Sequence, residues 1–464
     1  MKIIILGANA VGFQIAKQLI AEKKDVVIIE KDPKKAKKAS EYLDCLVINA
    51  LGNDPEVLKK AGINKTDFFI SVTDSDEMNM IACGLVHSDF DVQNKIALIR
   101  NHDYFGSKVL SKPILGIDYI VNPEIEAAKS VIKTIEDGAV SDIVFFEEND
   151  LQMRNILVSS TSFFNNRSMK EIKRMIDVKF SFAGLIRDDQ FIFPSDRIVI
   201  HENDIAYLIG KSDDLKQVFV MTQKSEVNIK KVIIAGCGKI GHYIAGFYSD
   251  NQKKRTQFFR KFLTKKSKKT KSIKIIDKDY QRCKELSDEF PNAMVIHSDI
   301  SDERVFYEEQ LIDYDLMICS TDNQELNVLA AVYAKNQGIK KSLALVNKHN
   351  YINIALRLKI DAIISPKNSV IHPILTLIRK GNVKSINSIL NDDIEVLEIH
   401  IDDENALVGK KLFEIKLPYH SQISVISRDN ELFTPDKNFQ IKENDTVIFI
   451  SRKSAIPKIE SMVS

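Results

Sequence analysis

The sequence predicts an α/β protein made of two Rossmann-like doubly wound parallel sheets, each followed by a small α+β module. Two glycine turns are the first reason. Gly7-Ala8-Asn9-Ala10-Val11-Gly12 and Gly236-Cys237-Gly238-Lys239-Ile240-Gly241 each follow an apolar run and open an amphipathic helical pattern. In such a turn the first glycine permits the tight bend, the second lets backbone approach a pyrophosphate, and the third lets helix pack on strand, with the helix N-terminus facing phosphate charge. The second reason is that the halves keep agreeing downstream. Ile28-Ile29-Glu30-Lys31-Asp32 recurs as Ile275-Ile276-Asp277-Lys278-Asp279, and Ser71-Val72-Thr73-Asp74 through Asn79 and Ala82 recurs as Cys319-Ser320-Thr321-Asp322 through Asn327 and Ala330. Third, Phe193-Pro194-Ser195-Asp196 leading to Glu202-Asn203-Asp204 parallels Phe433-Thr434-Pro435-Asp436 leading to Glu443-Asn444-Asp445. A period of more than about two hundred residues is a tandem domain duplication, because solenoid and propeller repeats are far shorter.

The elements follow from hydrophobic periodicity. In the first half, strand Lys2 to Leu6, helix from Val11 to about Glu22, strand Val26 to Glu30, helix from Pro33, strand Cys45 to Asn49, helix from Pro55, strand Phe68 to Val72 and a helix after Glu77 make βα units of a parallel sheet. Its ligand crevice should lie at the carboxyl ends of the strands. From about residue 140 the texture becomes short strand-like runs, Asp142 to Glu147, Asn155 to Ser159, Phe180 to Ile186 and Ile205 to Ile209, between polar turns. The second half repeats the plan, with late strands at Glu395 to Ile401, Gln422 to Ser427 and Thr446 to Ser451. The expected domains are 1–135 (nucleotide fold), 136–225 (small module), 226–372 (nucleotide fold) and 373–464 (small module).

Composition narrows the class. The chain has 464 residues and a formal charge of +2, and no apolar stretch approaches the roughly twenty residues that span a bilayer. Met1-Lys2-Ile3-Ile4-Ile5-Leu6 breaks at Gly7 with nothing like a cleavage site after it, so it reads as a buried strand and not as a signal peptide. Five cysteines without a Cys-x-x-Cys pair suggest small core residues in a reducing cytosol, with neither a disulfide framework nor a zinc site.

One segment departs from the repeat. Lys253 to Lys271, inserted between Gly241 and Asp277, holds ten Lys or Arg and no acid, so the rest of the chain is net acidic. Phe258, Phe259, Phe262 and Leu263 lie within it at helical spacing. A basic amphipathic helix touching anionic lipid or an acidic partner is one reading, and a solvated arm is the other. No recognition module accompanies it, so nucleic acid is not expected as a partner.

The order of nucleotide fold and small module, twice over, together with Lys2-Ile3-Ile4-Ile5-Leu6-Gly7, Val72-Thr73-Asp74 and Leu407-Val408-Gly409-Lys410, resembles the TrkA family across essentially the whole chain. These are peripheral regulatory subunits of bacterial Trk potassium-uptake systems, built from tandem RCK (regulator of potassium conductance) domains. The resemblance implies NAD(H) as ligand, with ATP and ADP as further candidates, and an integral-membrane potassium-translocating partner. It also implies a homo-oligomer, a tetramer of tandem chains, and a cytoplasmic location at the inner face of the membrane. It places the first nucleotide site on Gly7, Ala8, Asn9, Ala10, Val11 and Gly12 for phosphate, Glu30 for ribose, Thr73 and Asp74 at the far edge, and Arg100 after the fifth strand. The second site falls on Gly236, Gly238, Lys239, Ile240, Gly241, Asp277, Thr321 and Asp322.

The residues themselves add to this. A carboxylate at Glu30 or Asp277 can accept ribose hydroxyls and would repel a 2′-phosphate, favouring NAD(H) or an adenosine nucleotide over NADP(H). Asn9 replaces the middle glycine and crowds the pyrophosphate, although asparagine's tolerance of left-handed backbone angles should let the turn survive. Asn347 stands where the first copy has Arg100. Catalysis finds little support: a dehydrogenase needs a proton donor beside the nicotinamide, and the nine histidines are scattered without such a setting. A non-enzymatic sensor is therefore expected, with an NAD-dependent oxidoreductase as the competing class.

Overall fold

In a computed structural model of the chain, the structure describes residues 1–101, 104, 115–136, 144–146, 151–188, 190–221, 229–248, 271–348, 351, 354, 358, 360–378, 383–389, 394–403 and 405–463. The chain forms two compact units, Met1–Ala127 with Pro366–Lys380, and Ala128–Ser365 with Gly381–Ser464.

The first unit is built on β1 (Lys2–Leu6), β2 (Asp25–Glu30), β3 (Leu46–Asn49), β4 (Phe68–Ser71), β5 (Asn94–Leu98) and β6 (Tyr119–Val121), in the order β3-β2-β1-β4-β5-β6. All pairings are parallel. The strands read as continuous apolar runs because helices cover both faces. Alternate side chains go to opposite layers. Ile4, Leu6, Val27, Ile29 and Phe69 meet Leu58, Ala82, Cys83 and Val86 of helices Pro55–Ala61 and Asp76–Asp89. Ile3, Ile5, Ile28 and Ile70 face Ile15 and Leu19 of helix Ala10–Ala21.

That second layer is completed from far away in sequence. Helix Pro366–Ile378 places Val370, Ile371, Ile374, Leu375 and Ile378 in the same core, at the i, i+1, i+4, i+5, i+8 spacing of one helical face. It follows the second sheet in the chain yet packs on the first. Each of these fully buried aliphatic side chains contributes about 2 kcal/mol.

In the second unit, β7 (Val144–Phe145), β8 (Leu151–Leu157), β9 (Arg167–Ser168), β10 (Phe180–Arg187), β11 (Gln190–Ile192), β12 (Val199–Ile200) and β13 (Ile205–Lys211) form the first small module, whose main sheet runs β11-β10-β13-β8-β7. A second parallel sheet follows: β14 (Lys231–Ala235), β15 (Ser272–Asp277), β16 (Met294–His297), β17 (Leu316–Cys319), β18 (Lys341–Leu345) and β19 (Ala362–Ile364), ordered β16-β15-β14-β17-β18-β19. It repeats the first sheet strand for strand. The last module, β20 (Val383–Ile389), β21 (Ile394–His400), β22 (Ser421–Arg428), β23 (Glu431–Phe433) and β24 (Thr446–Arg452), is antiparallel in the order β20-β21-β24-β22-β23.

The two small sheets share a core. Met153, Ala183, Tyr207 and Ile209 pack with Val396, Val425, Ile448 and Ile450. Each sheet has a bulge at the matching place, Phe182/Gly184 and Ile423/Val425, where an extra residue bends the strand. Across the junction Ser181 Oγ donates to the Ser424 carbonyl at 3.4 Å, and Ser424 Oγ to the Phe182 carbonyl at 3.3 Å. Among the described residues no helix is long and apolar enough to cross a membrane.

Candidate nucleotide-binding sites

Each parallel sheet reverses its strand order between its first strand and its fourth, β1 with β4 and β14 with β17, and each glycine turn lies at that switch point, where open α/β sheets hold ligands. The outer glycines have the same duties in both copies. Gly7 (φ +106°) and Gly236 (φ +84°) take backbone angles that side chains disfavour, and a Cβ on them would come within 3.0 and 2.6 Å of the Thr73 and Thr321 nitrogens. A Cβ on Gly12 or Gly241 would come within 2.0 or 2.6 Å of the carbonyl oxygen of Gly7 or Gly236.

Opposite each turn, a buried asparagine fixes the Thr-Asp loop. Asn79 Oδ1 accepts from the Thr73 backbone N–H and hydroxyl, and Asn79 Nδ2 donates to the Leu98 carbonyl at 2.7 Å. Asn327 repeats this on Thr321 and Leu345, at 2.9, 2.6 and 3.0 Å. The loop after the fifth strand is pinned in the same way: Asp76 Oδ2 accepts from the Arg100 and Asn101 N–H groups, and Gln324 Oε1 from those of Asn347 and Lys348. These bonds set Asn347 in the structural place of Arg100.

The strand-end carboxylates serve their own turns. Glu30 Oε2 accepts from the Ala8 N–H at 2.6 Å and Oε1 from that of Asp32 at 2.8 Å. Asp277 takes the Cys237 N–H at 2.7 Å and the Asp279 N–H at 3.0 Å. They differ in access, since Glu30 is only 6 % exposed whereas Asp277 is half-buried. Burial pushes the Cys237 thiol up to about 12, so it stays neutral in the turn.

The middle position separates the copies. Asn9 has φ −67° and ψ −178°, ordinary extended backbone, so the left-handed tolerance expected of asparagine plays no part. What matters is its side chain, which caps helix Ala10–Ala21. Asn9 Oδ1 accepts from the Val11 and Gly12 N–H groups at 3.1 Å each, and Nδ2 donates to the Val72 carbonyl at 2.6 Å and to Asp74 Oδ1 at 2.9 Å. Lys35 Nζ reaches Asp74 Oδ2 at 2.8 Å, and the Arg100 guanidinium lies 3.2 Å from the Thr73 carbonyl, 4.0 Å from Asp74 and 3.8 Å from Asp76. In the second copy Gly238 brings no side chain, and a Cβ there would meet nothing within 4 Å. Lys239, Ile240 and Gly241 open helix Lys239–Tyr248 behind it, and Asp322 at the loop edge is exposed.

In each copy the glycine turn, the strand-end carboxylate and the Thr-Asp loop therefore lie at the carboxyl ends of the first, second and fourth strands of one sheet. Sequence reasoning missed Lys35, Asp76 and Gln324 as parts of the sites. A signal existed for Asn79 and Asn327, whose recurrence at constant distance from Thr73 and Thr321 marks an anchor. The segment 253–270 lies outside the described residues, whereas Lys271 sets its ammonium 4.5 Å from the Tyr248 ring centroid.

Comparison with known proteins agrees with this plan. The TrkA-N domain matches residues 3–123 and 260–366, and the TrkA-C domain residues 396–464. The Trk system potassium uptake protein TrkA of Azorhizobium caulinodans is 28 % identical over 466 residues, covering 100 % of this chain and 98 % of its own. TrkA homolog 1 of Methanosarcina mazei is 29 % identical over 468 residues, covering 99 % of each chain. Among solved structures the GsuK channel bound to NAD has a TM-score of 0.56 at 15 % identity, covering 99 % of this chain and 78 % of that one. The GsuK RCK domain has 0.55 at 15 %, covering 99 % and 94 %. At that identity the likeness concerns the fold. With its nucleotide folds and last module matched and its whole length aligned to TrkA proteins, the chain belongs to the TrkA family of Trk-system potassium-uptake proteins.

Proposed function

We propose that this protein is the peripheral regulatory subunit of a Trk-type potassium-uptake system, binding NAD(H) or adenine nucleotides at its duplicated turns and gating potassium flux through a membrane partner. The observation that carries the reading is the duplication itself. Two crevices, each with a tight glycine turn, a strand-end carboxylate and an asparagine-anchored Thr-Asp loop, occur in a chain aligned end to end with TrkA proteins. In the first, Gly7 to Gly12, Glu30, Thr73, Asp74 and Arg100 line the crevice; in the second, Gly236 to Gly241, Asp277, Thr321 and Asp322 do so. A strand-end acid can accept ribose hydroxyls and opposes a 2′-phosphate. The GsuK channel, similar in fold, is described bound to NAD.

The four-domain division at 1–135, 136–225, 226–372 and 373–464 belongs to the same reading, as do a tetramer of chains and attachment at the inner membrane face. A regulator consumes no nucleotide: ligand shifts a conformational equilibrium by its differential affinity for two states. Calorimetric titration with NADH, NAD, ATP and ADP tests the binding, and incubation with NADH and candidate acceptors tests for turnover. The expected result is saturable binding of at least one nucleotide with NADH left intact. Absence of binding by all four overturns the reading, and sustained NADH consumption would favour an oxidoreductase.

A further inference from the structure

The two turns differ chemically at one residue. At a helix N-terminus the first backbone N–H groups have no intrahelical partner and attract an anion. In the first copy Asn9 Oδ1 already takes two of them, from Val11 and Gly12. Both hydrogens of the same amide are used as well, on the Val72 carbonyl and on Asp74. A pyrophosphate arriving there would have to displace this side chain and break four hydrogen bonds, and it would then lie beside the Asp74 carboxylate. Glu30, nearly closed off from solvent, offers a ribose little room.

The second copy lacks each obstacle. Position 238 is glycine with open surroundings, Asp277 is half-buried, and the neighbouring thiol is neutral. Arg282, the counterpart of Lys35, turns to the Cys237 carbonyl at 3.2 Å and to Glu285, so it forms no latch onto Asp322.

We infer that Asn9 is a built-in ligand that closes the first turn to pyrophosphate, leaving the turn at Gly236–Gly241 as the high-affinity dinucleotide site of each chain. The inference rests on the nucleotide-sensing reading above and adds which copy senses. It also makes position 9 a specificity determinant: the first crevice keeps its shape and charge network without a phosphate group.

The test is calorimetric titration of the full chain with NADH, in the unaltered protein and in Asn9→Gly and Gly238→Asn. The unaltered chain should show one site. Asn9→Gly should reveal a second, with affinity at the first turn raised at least about tenfold, since a net gain near 1.4 kcal/mol from releasing these bonds corresponds to that factor. Gly238→Asn, where the new side chain meets no steric obstacle, should weaken the single site by a similar factor. Circular dichroism melts establish that each variant is folded, and the stoichiometry of the unaltered chain decides even if Asn9→Gly does not fold. Two sites of comparable affinity in the unaltered chain would overturn the inference and leave the sensing role standing. One site that survives Gly238→Asn unchanged would overturn it too. No binding of NADH, NAD, ATP or ADP would overturn the sensing role and the inference with it.

Discussion

Asn79 Oδ1 accepts both the backbone N–H of Thr73, at 2.8 Å, and the Thr73 hydroxyl, at 2.7 Å, from a fully buried position under the loop. Asn327 and Thr321 hold the same relation in the second copy. One side chain thus ties the edge of each crevice to the sheet behind it.

Replacing Asn79 with Ala takes the side-chain partner from the part-buried Thr73 N–H and from the buried Leu98 carbonyl. Each such loss costs about 1–3 kcal/mol. Asn79→Ala should therefore destabilise the first unit by about 2–4 kcal/mol, read as a lower urea midpoint. Asn79→Asp keeps the acceptor but buries an unpaired carboxylate with an oxygen against the Leu98 carbonyl, and should cost at least as much as Asn79→Ala at neutral pH. Equal melting of Asn79→Ala and the unaltered protein would show that the anchor is dispensable.

A second prediction concerns the small modules. Arg428 grips Asp445 with Nε at 2.7 Å and Nη2 at 2.8 Å, and Arg187 grips Asp204 at 2.8 and 2.6 Å. In each pair the acid is buried and the arginine is partly exposed, at 0 % against 21 % and 2 % against 31 %. The asymmetry predicts the outcome. Arg428→Ala strands a buried charge and should cost about 3–5 kcal/mol. Asp445→Asn, with the arginine free to turn to water, should cost about 1–2 kcal/mol. Chemical denaturation that ranks the two the other way would count against a bidentate clamp.

The strand-end acids provide a third. Glu30→Ala unpairs the Ala8 and Asp32 N–H groups, and hydrogen bonds to a charged acceptor contribute about 1.5–3 kcal/mol each. The variant should lower the stability of the first unit while leaving NADH affinity at the second turn within about twofold, because the bonds that it removes all lie in the first turn. Asp277→Ala unpairs the Cys237 and Asp279 N–H groups and should lower the stability of the second unit, but it should also cost at least tenfold in NADH affinity. Calorimetry and melting on both variants would separate the roles.

Much of this was legible in the sequence. The order of strands, the strand-end acids and the Thr-Asp loops follow from a pattern stated twice, and the second statement checks the first. What could not be read is side-chain choice and long-range packing. Periodicity shows that helix Pro366–Ile378 has an apolar face, but it cannot say which sheet that face covers, and the face covers the sheet more than two hundred residues upstream. Similarly, Asn9 reads as a crowded glycine position because sequence reports bulk; its four hydrogen bonds depend on where Val72 and Asp74 come to lie. Strand β20 escaped notice because its apolar residues, Val383, Ile386 and Ile389, recur every third position and lack the alternation that marks a strand.

The Asp74 latch predicts a pH response. The Lys35 ammonium bonded to it holds the Asp74 carboxyl below its ordinary value against the opposing effect of burial, with further help from Asn9 and Arg100, and the same bond raises Lys35. A carboxylate with a depressed folded-state value stabilises above its unfolded value and loses that contribution as pH falls through the folded one. A lysine raised in the fold stabilises below its unfolded value and loses the contribution as pH rises through the folded one. The pair should therefore hold across the neutral range and fail at both extremes. The Asn9 side-chain amide signals, followed by NMR, should shift in acid with a midpoint under about 3.9, the unperturbed aspartate value. A midpoint at or above that value would mean no latch.

The basic segment gives the last prediction. In the first copy helix Ala10–Ala21 reaches strand Asp25–Glu30 through Glu22, Lys23 and Lys24 alone, whereas in the second, helix Lys239–Tyr248 and strand Ser272–Asp277 are separated by residues 249–271. Three residues suffice to close the same βα unit, so the fold does not require the insertion. Deleting 253–270 should leave the thermal melt and NADH binding unchanged. Its ten cations, counting Lys271, do have a use at an anionic surface, where each contributes about 1 kcal/mol and salt screens the attraction. Even half of them would supply about 5 kcal/mol, enough to hold an otherwise acidic chain at a membrane or on an acidic partner. Flotation with anionic liposomes in low and high salt should show binding by the intact chain that salt weakens and the deletion abolishes. Equal flotation of both forms would reduce the segment to a solvated arm.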